Sequence, residues 1–204
     1  MIQEFTQEIK DHVHDILSEI HTTIPGKIVA FDPDDCTATI QPFGFFKKPD
    51  GSKLAYPQLN DVPVHTMQGS GQTATFAMPI RPGDDCLIFF AEQALDTWRT
   101  KAESDTELHF DLTNASALVG LFSTPNRLIR EACADDAIII EKDGARIRLK
   151  KGEASIRDNA GQSITLTPTE VSIVANSVNV QTSGSATVTA AGDVSLTGST
   201  INLN

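Results

Sequence analysis

Metal binding would need histidine, cysteine or carboxylate side chains at ligand spacing, and the chain offers one compact candidate. His12 and His14 form its only His-x-His pair. On a helix two such side chains diverge by about 200°, so one chain cannot direct both rings at one ion. Three copies around an axis could still bring three His12 rings together. His65 and His109 have no cysteine or carboxylate at ligand spacing, and we predict no metal site and no cofactor.

Catalytic chemistry has little support in the sequence. The chain contains no GxSxG, HExxH, phosphate-binding loop or GxGxxG pattern. Cys86 precedes an apolar run, which indicates a core residue and not a nucleophile. Four carboxylates lie close enough in sequence to supply a glycosidase pair: Glu92, Asp96, Glu103 and Asp105. Acids are abundant throughout, however, and we expect no enzymatic activity.

Composition narrows the function further. The 204 residues carry 16 Lys+Arg against 27 Asp+Glu, a net charge of −11, which argues against nucleic-acid binding because that requires cations at the phosphates. No stretch approaches the roughly 20 apolar residues of a membrane span, and the acidic N-terminus does not resemble a secretory signal. Cys36, Cys86 and Cys133 have no chelating spacing, which favours buried free thiols in a protein made in a reducing cytoplasm.

The chain divides into two regimes of composition. All aromatic residues lie at or before Phe122, and the last 82 residues contain none. After Arg157 there is no Lys or Arg, and only three acids follow. We therefore predict three parts: a helix over 1–23, a small barrel over 24–126 and a repetitive β structure over 127–204.

The N-terminal part has the apolar spacing of an amphipathic helix. Spacings of three and four place one set of residues on a single stripe over residues 2–21: Ile2, Phe5, Ile9, Val13, Ile16 and Ile20. Pro25 and Gly26 end the pattern. The stripe must be covered by its own domain, by two further copies of the helix, or by a neighbouring protein.

The middle part reads as short strands separated by turns. Eight of the ten prolines fall between Pro25 and Pro82. GKIVAFD and CTATIQP flank a turn and predict a hairpin. Val62-Pro63-Val64 predicts an edge or irregular strand, because proline cannot donate to a ladder, and CLIFFA predicts a central strand buried on both faces. About five short strands with uneven loops favour a small closed barrel of the oligonucleotide/oligosaccharide-binding (OB) type over a sandwich.

The last part repeats apolar pairs in strict alternation. Ile138/Ile140 and Ile147/Leu149 open the series, and from Ile164 the pairs step by 7 or 8 residues. The predicted core positions are Ile147, Ile164, Leu166, Val171, Ile173, Val178, Val180, Val188, Val194, Leu196, Ile201 and Leu203. Such a short repeat predicts a β-helix or β-prism; a disordered Ser/Thr-rich tail is the alternative.

A single copy of this tail could not enclose its own core. Residues 163–204 contain 15 Ser/Thr and no ring, so their burial hardly offsets an ordering cost of roughly 1–2 kcal/mol per residue. Three intertwined copies would share an aliphatic axis and pair one another's strand edges. We therefore predict a homotrimeric, triple-stranded β-helix whose narrow axis excludes aromatic rings.

The order of these parts resembles a known family. PGKIVAFDPDDCTATIQP, MPIRPGDDCLIFFAEQALDTW, FDLTNASALVGLFSTPN and the tail VSIVANSVNVQTSGSATVTAAGDVSLTGSTINLN are similar to the central spike of contractile-tailed phages and related injection machines, of the baseplate assembly protein V type. The resemblance implies a homotrimer in the virion, at the tip of the tail baseplate, assembled in the host cytoplasm. It also implies attachment to the hub protein and transient piercing of the target cell's outer membrane.

One departure from that family concerns the tip. Many such spikes end in a His-x-His apex that encloses iron, whereas here no histidine follows His109. We expect no metal there, and either a blunt apolar point or a separate cap protein. Two other functions stay open: a trimeric receptor- or polysaccharide-binding tail module, and a cell-wall hydrolase with an unrecognised barrel site.

Overall fold

The computed structural model describes residues 2–18, 20–48, 50–101, 108–121 and 123–201, and divides into two compact units, residues 1–126 and 127–204. The protein is mainly β with a short N-terminal helix. The elements of the first unit are α1 (Ile2–Ser18), β1 (Thr23–Asp32), β2 (Thr37–Pro42), β3 (Phe45–Lys47), β4 (Lys53–Ala55), β5 (Leu59–His65), β6 (Met67–Gly69), β7 (Ala74–Phe76), β8 (Asp85–Phe90), α2 (Leu95–Thr100) and β9 (Ala115–Val119).

The predicted closed barrel is confirmed. Five strands close in the order β1-β2-β5-β9-β8, with antiparallel pairs except for the parallel pair β5–β9. Of the two interpretations of 62–64, the edge strand is wrong, because β5 lies between β2 and β9, and the irregular strand is confirmed. Pro63 is tolerated where β2 and β5 pair irregularly, with a register shift between Ala38 and Ile40.

The barrel core is built by residues that alternate along its strands. Ile28, Ile40, Cys86 and Ile88 are at most 1% exposed. The prediction that the CLIFFA strand is buried on both faces is wrong: in β8 every second residue is fully buried and those between are half-buried. A closed barrel gives each strand one interior face, so its burial has a period of two.

A buried asparagine organises the connection between β8 and β9. Asn114 is 3% exposed, and its side-chain nitrogen donates to the carbonyls of Ala91 and Gln93, both at 2.8 Å, and of Leu108 at 3.1 Å. Its side-chain oxygen accepts from the backbone N–H of Leu95 at 2.8 Å. One amide therefore supplies partners for backbone groups at both ends of this long connection.

The second unit is an antiparallel meander preceded by a helix. Its elements are α3 (Arg127–Asp135), β10 (Ala137–Lys142), β11 (Ala145–Lys150), β12 (Glu153–Arg157), β13 (Ser163–Leu166) and β14 (Val171–Val174), and the strands pair in chain order. Asp143 and Gly144 form a two-residue hairpin turn with φ of 50° and 87°, as the right-handed twist of the strands requires. The dipeptide Asp-Gly is a sequence pattern typical of such turns.

The secondary structure differs from the sequence predictions at two places. Helix α1 ends at Ser18, before Ile20 and His21, because the chain must extend to enter β1 at Thr23. The range predicted as needle begins with helix α3. Among the described residues, 175–201 form no strand, so the triple β-helix stays a prediction. No helix in the described part of the chain is long and apolar enough to cross a membrane.

Candidate functional site

The meander carries a continuous row of isoleucines across all five of its strands. The strand registers place Ile140 opposite Ile147, Ile147 opposite Ile156, Ile156 opposite Ile164, and Ile164 opposite Ile173. Side chains at directly paired positions lie on the same face of a sheet. The isoleucine row therefore forms one apolar stripe that runs perpendicular to the strands.

A second apolar row lies beside the first on the same face. It joins Ile138, Leu149, Ala154, Leu166 and Val171 through the same registers. We call the two rows, without Ala154, the apolar sheet face. Its nine large side chains are 39–67% exposed within the single chain.

The opposite face of the meander is charged and more buried. Side chains of Glu141 and Arg146 are 9% and 15% exposed. Arg146 Nε donates to Glu141 Oε2 at 2.9 Å, and Arg146 Nη2 donates to Glu131 Oε2 of helix α3 at 3.1 Å. Arg127, also on α3, forms an ion pair with Glu141. Helix α3 therefore packs on the charged face through a network of charge-assisted hydrogen bonds.

The network continues along the next row of strand positions. Arg148 Nη2 donates to Asp135 Oδ2 of α3 at 2.6 Å, and Arg148 Nη1 lies 3.4 Å from Glu153 Oε1. Glu153 also pairs with Lys150 at 3.2 Å. The alternating Arg and Lys of β11 are thereby matched with acids from α3 and β12.

The ion pairs shift the pKa values of their members in the expected directions. Hydrogen bonds from Arg146, and then the charge of Arg127, hold the pKa of the Glu141 carboxyl below its ordinary value. Hydrogen bonds to Glu131 and Glu141 raise the pKa of Arg146. Both groups are thus charged at neutral pH, and the network holds α3 on this face.

The two faces of this sheet are therefore covered in the opposite way to those of an ordinary soluble domain. A one-sided antiparallel sheet normally buries its apolar face and exposes its polar face. Here the intramolecular helix covers the charged face, and the aliphatic face is open. An exposed apolar surface of this size marks an interaction site, so the apolar sheet face is the candidate functional site.

The remaining predicted core residues continue the same pattern beyond β14. They are exposed and lie outside any strand: Val178, Val180, Val188, Val194, Leu196 and Ile201 are 51–79% exposed. Leu203 lies outside the described residues. Within one chain the fold brings together Ile147, Ile164, Leu166, Val171 and Ile173 of the predicted set, and leaves the later members apart.

Helix α1 presents a second open apolar surface. Its stripe is exposed along the described side chains: Phe5 is 63%, Ile9 and Val13 are 48%, Ile16 is 51% and Ile20, just beyond the helix, is 45% exposed. Ile2 begins the helix, but its side chain lies outside the described residues. The sequence left three ways to bury this stripe: against its own domain, against two further copies of the helix, or against a neighbouring protein. Packing against its own domain is not observed among the described residues.

The residues considered for catalysis and metal binding do not converge in the described part of the chain. No group of three or more His, Cys, Asp or Glu side chains there is arranged to hold a metal ion. Glu103 and Asp105 lie outside the described residues. Cys86 is confirmed as a core residue, and burial raises the pKa of its thiol to about 11. The expectation of three buried thiols is wrong, since Cys36 and Cys133 are exposed.

Phe43, Phe45 and Phe46 lie at or just before β3, and they differ in how far they are packed. The Phe46 ring packs against that of Tyr56 with centroids 4.2 Å apart, and His21 meets Tyr56 edge-on at 5.8 Å. Lys53 Nζ lies 4.2 Å from the centroid of the Phe45 ring. Phe43 is 77% exposed. Of these rings, Phe46 is therefore packed within the first unit and Phe43 is open to solvent.

Two features of the site were missed by sequence reasoning. The first is Ile156, which belongs to the isoleucine row but is a single apolar residue between Ser155 and Arg157. Its position midway between the apolar pairs at 147/149 and 164/166 could have indicated a further strand there. The charged network was missed as well. Its signal was the alternation Ala-Arg-Ile-Arg-Leu-Lys in 145–150, which predicts a strand whose second face is basic and needs acidic partners.

Comparison with known protein families matches residues 24–120 to the phage protein Gp138 N-terminal domain. This range covers the closed barrel and its connections, and excludes α1 and the second unit. Comparison with curated proteins finds no match. The barrel is therefore similar to a domain of a phage protein, which supports a phage structural, tail-associated role and a place in the virion.

Proposed function

We propose that this chain is the subunit of a homotrimeric, non-enzymatic central spike at the tip of a contractile phage tail or related injection machine. The barrel and helix α1 attach it to the baseplate hub, and the C-terminal part forms the needle that passes the outer membrane when the sheath contracts. The match of the barrel to a phage protein domain supports a role in a phage tail. The exposed aliphatic face of the meander supports self-association into a homotrimer.

The apolar sheet face is the observation that carries this proposal. Fully burying an aliphatic side chain contributes about 1.5–3 kcal/mol, so covering the exposed half of nine of them offers roughly 7–14 kcal/mol per chain. That range is comparable with the roughly 4–15 kcal/mol that association costs in lost freedom of motion. Self-association through this face is therefore favourable only if most of the nine side chains are covered, as around a shared axis.

The continuation of the pattern into 175–201 favours three copies over two. These residues keep the alternating aliphatic positions but form no strand in one chain, and they contain no ring that could fill a wide core. A dimer of flat sheets would cover the meander and leave 175–201 without ladder partners. Three chains around one axis supply both an apolar interior and neighbouring strands.

The proposed mechanism is mechanical. In a triple-stranded needle every backbone N–H and C=O is paired with a neighbouring chain, so separating the chains requires ladders on three chains to break together. The nearly uncharged tail, with only Asp158, Glu170 and Asp193 after Arg157, lowers the desolvation cost of passing through a membrane.

The mass of the purified full-length protein tests this architecture. Light scattering after size-exclusion chromatography should give three times the 22.0 kDa chain. Ile156→Glu places a carboxylate in the middle of the isoleucine row, where a shared interior would have to bury it in three copies, so it should convert the trimer to monomer. Arg157→Glu, one residue along the same strand on the charged face, is the matched control and should stay trimeric.

Two results would contradict the proposal. A wild-type monomer that retains the meander would show that the apolar sheet face is not a self-association surface. A dimer would retain that face as an interface and exclude the three-fold needle. Because Arg157→Glu changes the net charge more than Ile156→Glu does, a simple charge effect would disturb the control more.

A further inference from the structure

We propose that the apolar stripe of helix α1 is covered by the same helix of two other copies of this chain, in a parallel three-stranded coiled coil. This inference rests on the proposed function, because it assigns a second contact to the proposed homotrimer. The attachment of α1 to the hub then uses the outer surface of this helical bundle and not the apolar stripe.

The stripe of α1 is exposed in the single chain. Phe5, Ile9, Val13 and Ile16 are 48–63% exposed. Isolated helices are marginal in water when they are short, and protein helices gain most of their stability by packing an apolar face. Helix α1 has seventeen residues, so it needs a partner surface in order to stay folded.

The spacing along this stripe is that of a coiled coil. The steps alternate strictly between four and three residues through one set: Ile2, Thr6, Ile9, Val13, Ile16 and Ile20. In a coiled coil two positions of every heptad, called a and d, form the seam that faces the partner helices. A step of four leads from d to a, and a step of three leads from a to d. The set therefore supplies a complete seam along α1.

The residue types at the seam indicate three helices and not two. All three d positions hold isoleucine: Ile2, Ile9 and Ile16. Two-stranded coiled coils favour leucine at d with a β-branched residue at a, whereas isoleucine at d shifts the preference to three or four helices. Val13 at an a position is β-branched as well. This pattern agrees with the three-fold symmetry proposed for the chain.

The apolar surface of α1 is also wider than the seam. Phe5 and Leu17 stand beside the seam on opposite sides, at the heptad positions called g and e. Their side chains are 63% and 60% exposed. A helix in a bundle buries such flanking positions together with a and d, because it contacts two neighbours. Three copies therefore cover more of this surface than two copies do.

The charges of α1 do not oppose this contact. Four of the five acids in residues 2–20 fall at positions away from the seam: Glu4, Glu8, Asp11 and Asp15. On that outer face Gln7 Nε2 donates to Asp11 Oδ1 at 2.7 Å. Like charges at outer positions are separated by the width of the bundle and screened by water. The outer surface is consequently acidic, and it is the surface that remains for the hub.

Three-fold symmetry supplies both the orientation and the concentration that a short coiled coil needs. Copies related by one three-fold axis place their N-terminal helices parallel and equivalent around that axis. Contact through the apolar sheet face already holds the three copies together, so the helices associate within one particle at an effective concentration in the millimolar range. A coiled coil of little more than two heptads forms under these conditions.

Disulfide cross-linking of the full-length protein tests the contact. The background is Cys36→Ser/Cys133→Ser, which removes the two exposed thiols. One cysteine is then added at the seam, by Ile9→Cys, or on the outer face, by Gln7→Cys, and the protein is oxidised mildly with copper phenanthroline. A disulfide requires two Cα atoms within about 7 Å, which the seam of a coiled coil provides and its outer face does not.

Ile9→Cys should give a covalent dimer on a denaturing, non-reducing gel, with a yield that does not depend on protein concentration. The yield should reach at most about two thirds of the chains, because three thiols around one axis form a single disulfide. Gln7→Cys should give at least about tenfold less. Ile16→Cys at the seam and Asp11→Cys on the outer face repeat the comparison, so a local fault at one position does not decide the result.

Light scattering before and after oxidation separates this inference from the proposed function. A trimer in which the seam cysteines cross-link no more than the outer cysteines would overturn the coiled coil and leave the spike standing, with the stripe open to a different protein. Covalent dimers that join two separate trimers, visible as a doubled mass after oxidation, would overturn the coiled coil as well. A protein that is monomeric or dimeric before oxidation would overturn both.

Discussion

Gly26 is the position where the barrel has the least room for an added atom. It lies on β1 between β2 and β8, opposite Pro42 and Cys86. A Cβ built on Gly26 would stand 2.8 Å from both Ile40 Cγ2 and Ile88 Cδ1. Both isoleucines are fully buried, so neither side chain can move aside into solvent.

Gly26→Ala should therefore destabilise the barrel by about 1–3 kcal/mol, the usual cost of overpacking a core. Gly26 is not among the glycines with positive φ, so alanine meets no backbone strain there. Backbone entropy alone would make the substitution stabilising by about 0.4–1 kcal/mol. The sign of the measured change thus distinguishes close packing from chain entropy.

A second substitution shows whether the cause is the contact with Ile88. Ile88→Val removes the Cδ1 atom that the new Cβ would meet, at a cost of its own of about 0.5–1.5 kcal/mol. In the double variant Gly26→Ala/Ile88→Val, the added methyl occupies part of the vacated space. The double variant should consequently be at least about 1 kcal/mol more stable than the sum of the single changes predicts.

Urea unfolding of the full-length protein provides the measurement. Trp98, the only tryptophan, lies on α2 within the first unit, so its fluorescence reports on that unit. A Gly26→Ala variant as stable as wild type, or a double variant that is additive within about 0.5 kcal/mol, would refute the packing argument.

Two further predictions concern two buried residues of the first unit, Asn114 and Cys86. Asn114→Ala should destabilise the first unit by about 2 kcal/mol or more, because the backbone N–H of Leu95 and the carbonyls that Asn114 binds lose their partners. The amide hydrogen of Leu95 should then exchange faster than in wild type. An unchanged exchange rate at Leu95 would contradict this prediction. In native protein at pH 8, a thiol-alkylating reagent should modify the exposed Cys36 and Cys133. Cys86 should react only after denaturant is added, because burial shields its thiol and raises its pKa to about 11. Rapid labelling of Cys86 in the native protein would contradict its place in the core.

Much of the barrel followed from local sequence. The turn around Pro33 and the flanking alternation predicted the β1–β2 hairpin, and the number of short strands predicted closure. The parallel pairing of β5 with β9 could not be predicted, because it joins strands about fifty residues apart. The position of β9 also depends on the β8–β9 connection, which Asn114 stabilises. The edge alternative for the strand that contains Pro63 was wrong for the same reason: which strands flank β5 depends on distant segments.

The sequence by itself determined that the two faces of the C-terminal strands differ. Alternation separates Ile147 and Leu149 from Arg146 and Arg148 whatever the rest of the chain does, because successive side chains point to opposite sides of a strand. Only the tertiary structure decided which face its own chain covers. Acids spaced along α3 meet the arginines of β11, so the helix lies on the charged face, and the aliphatic face is left open for other molecules.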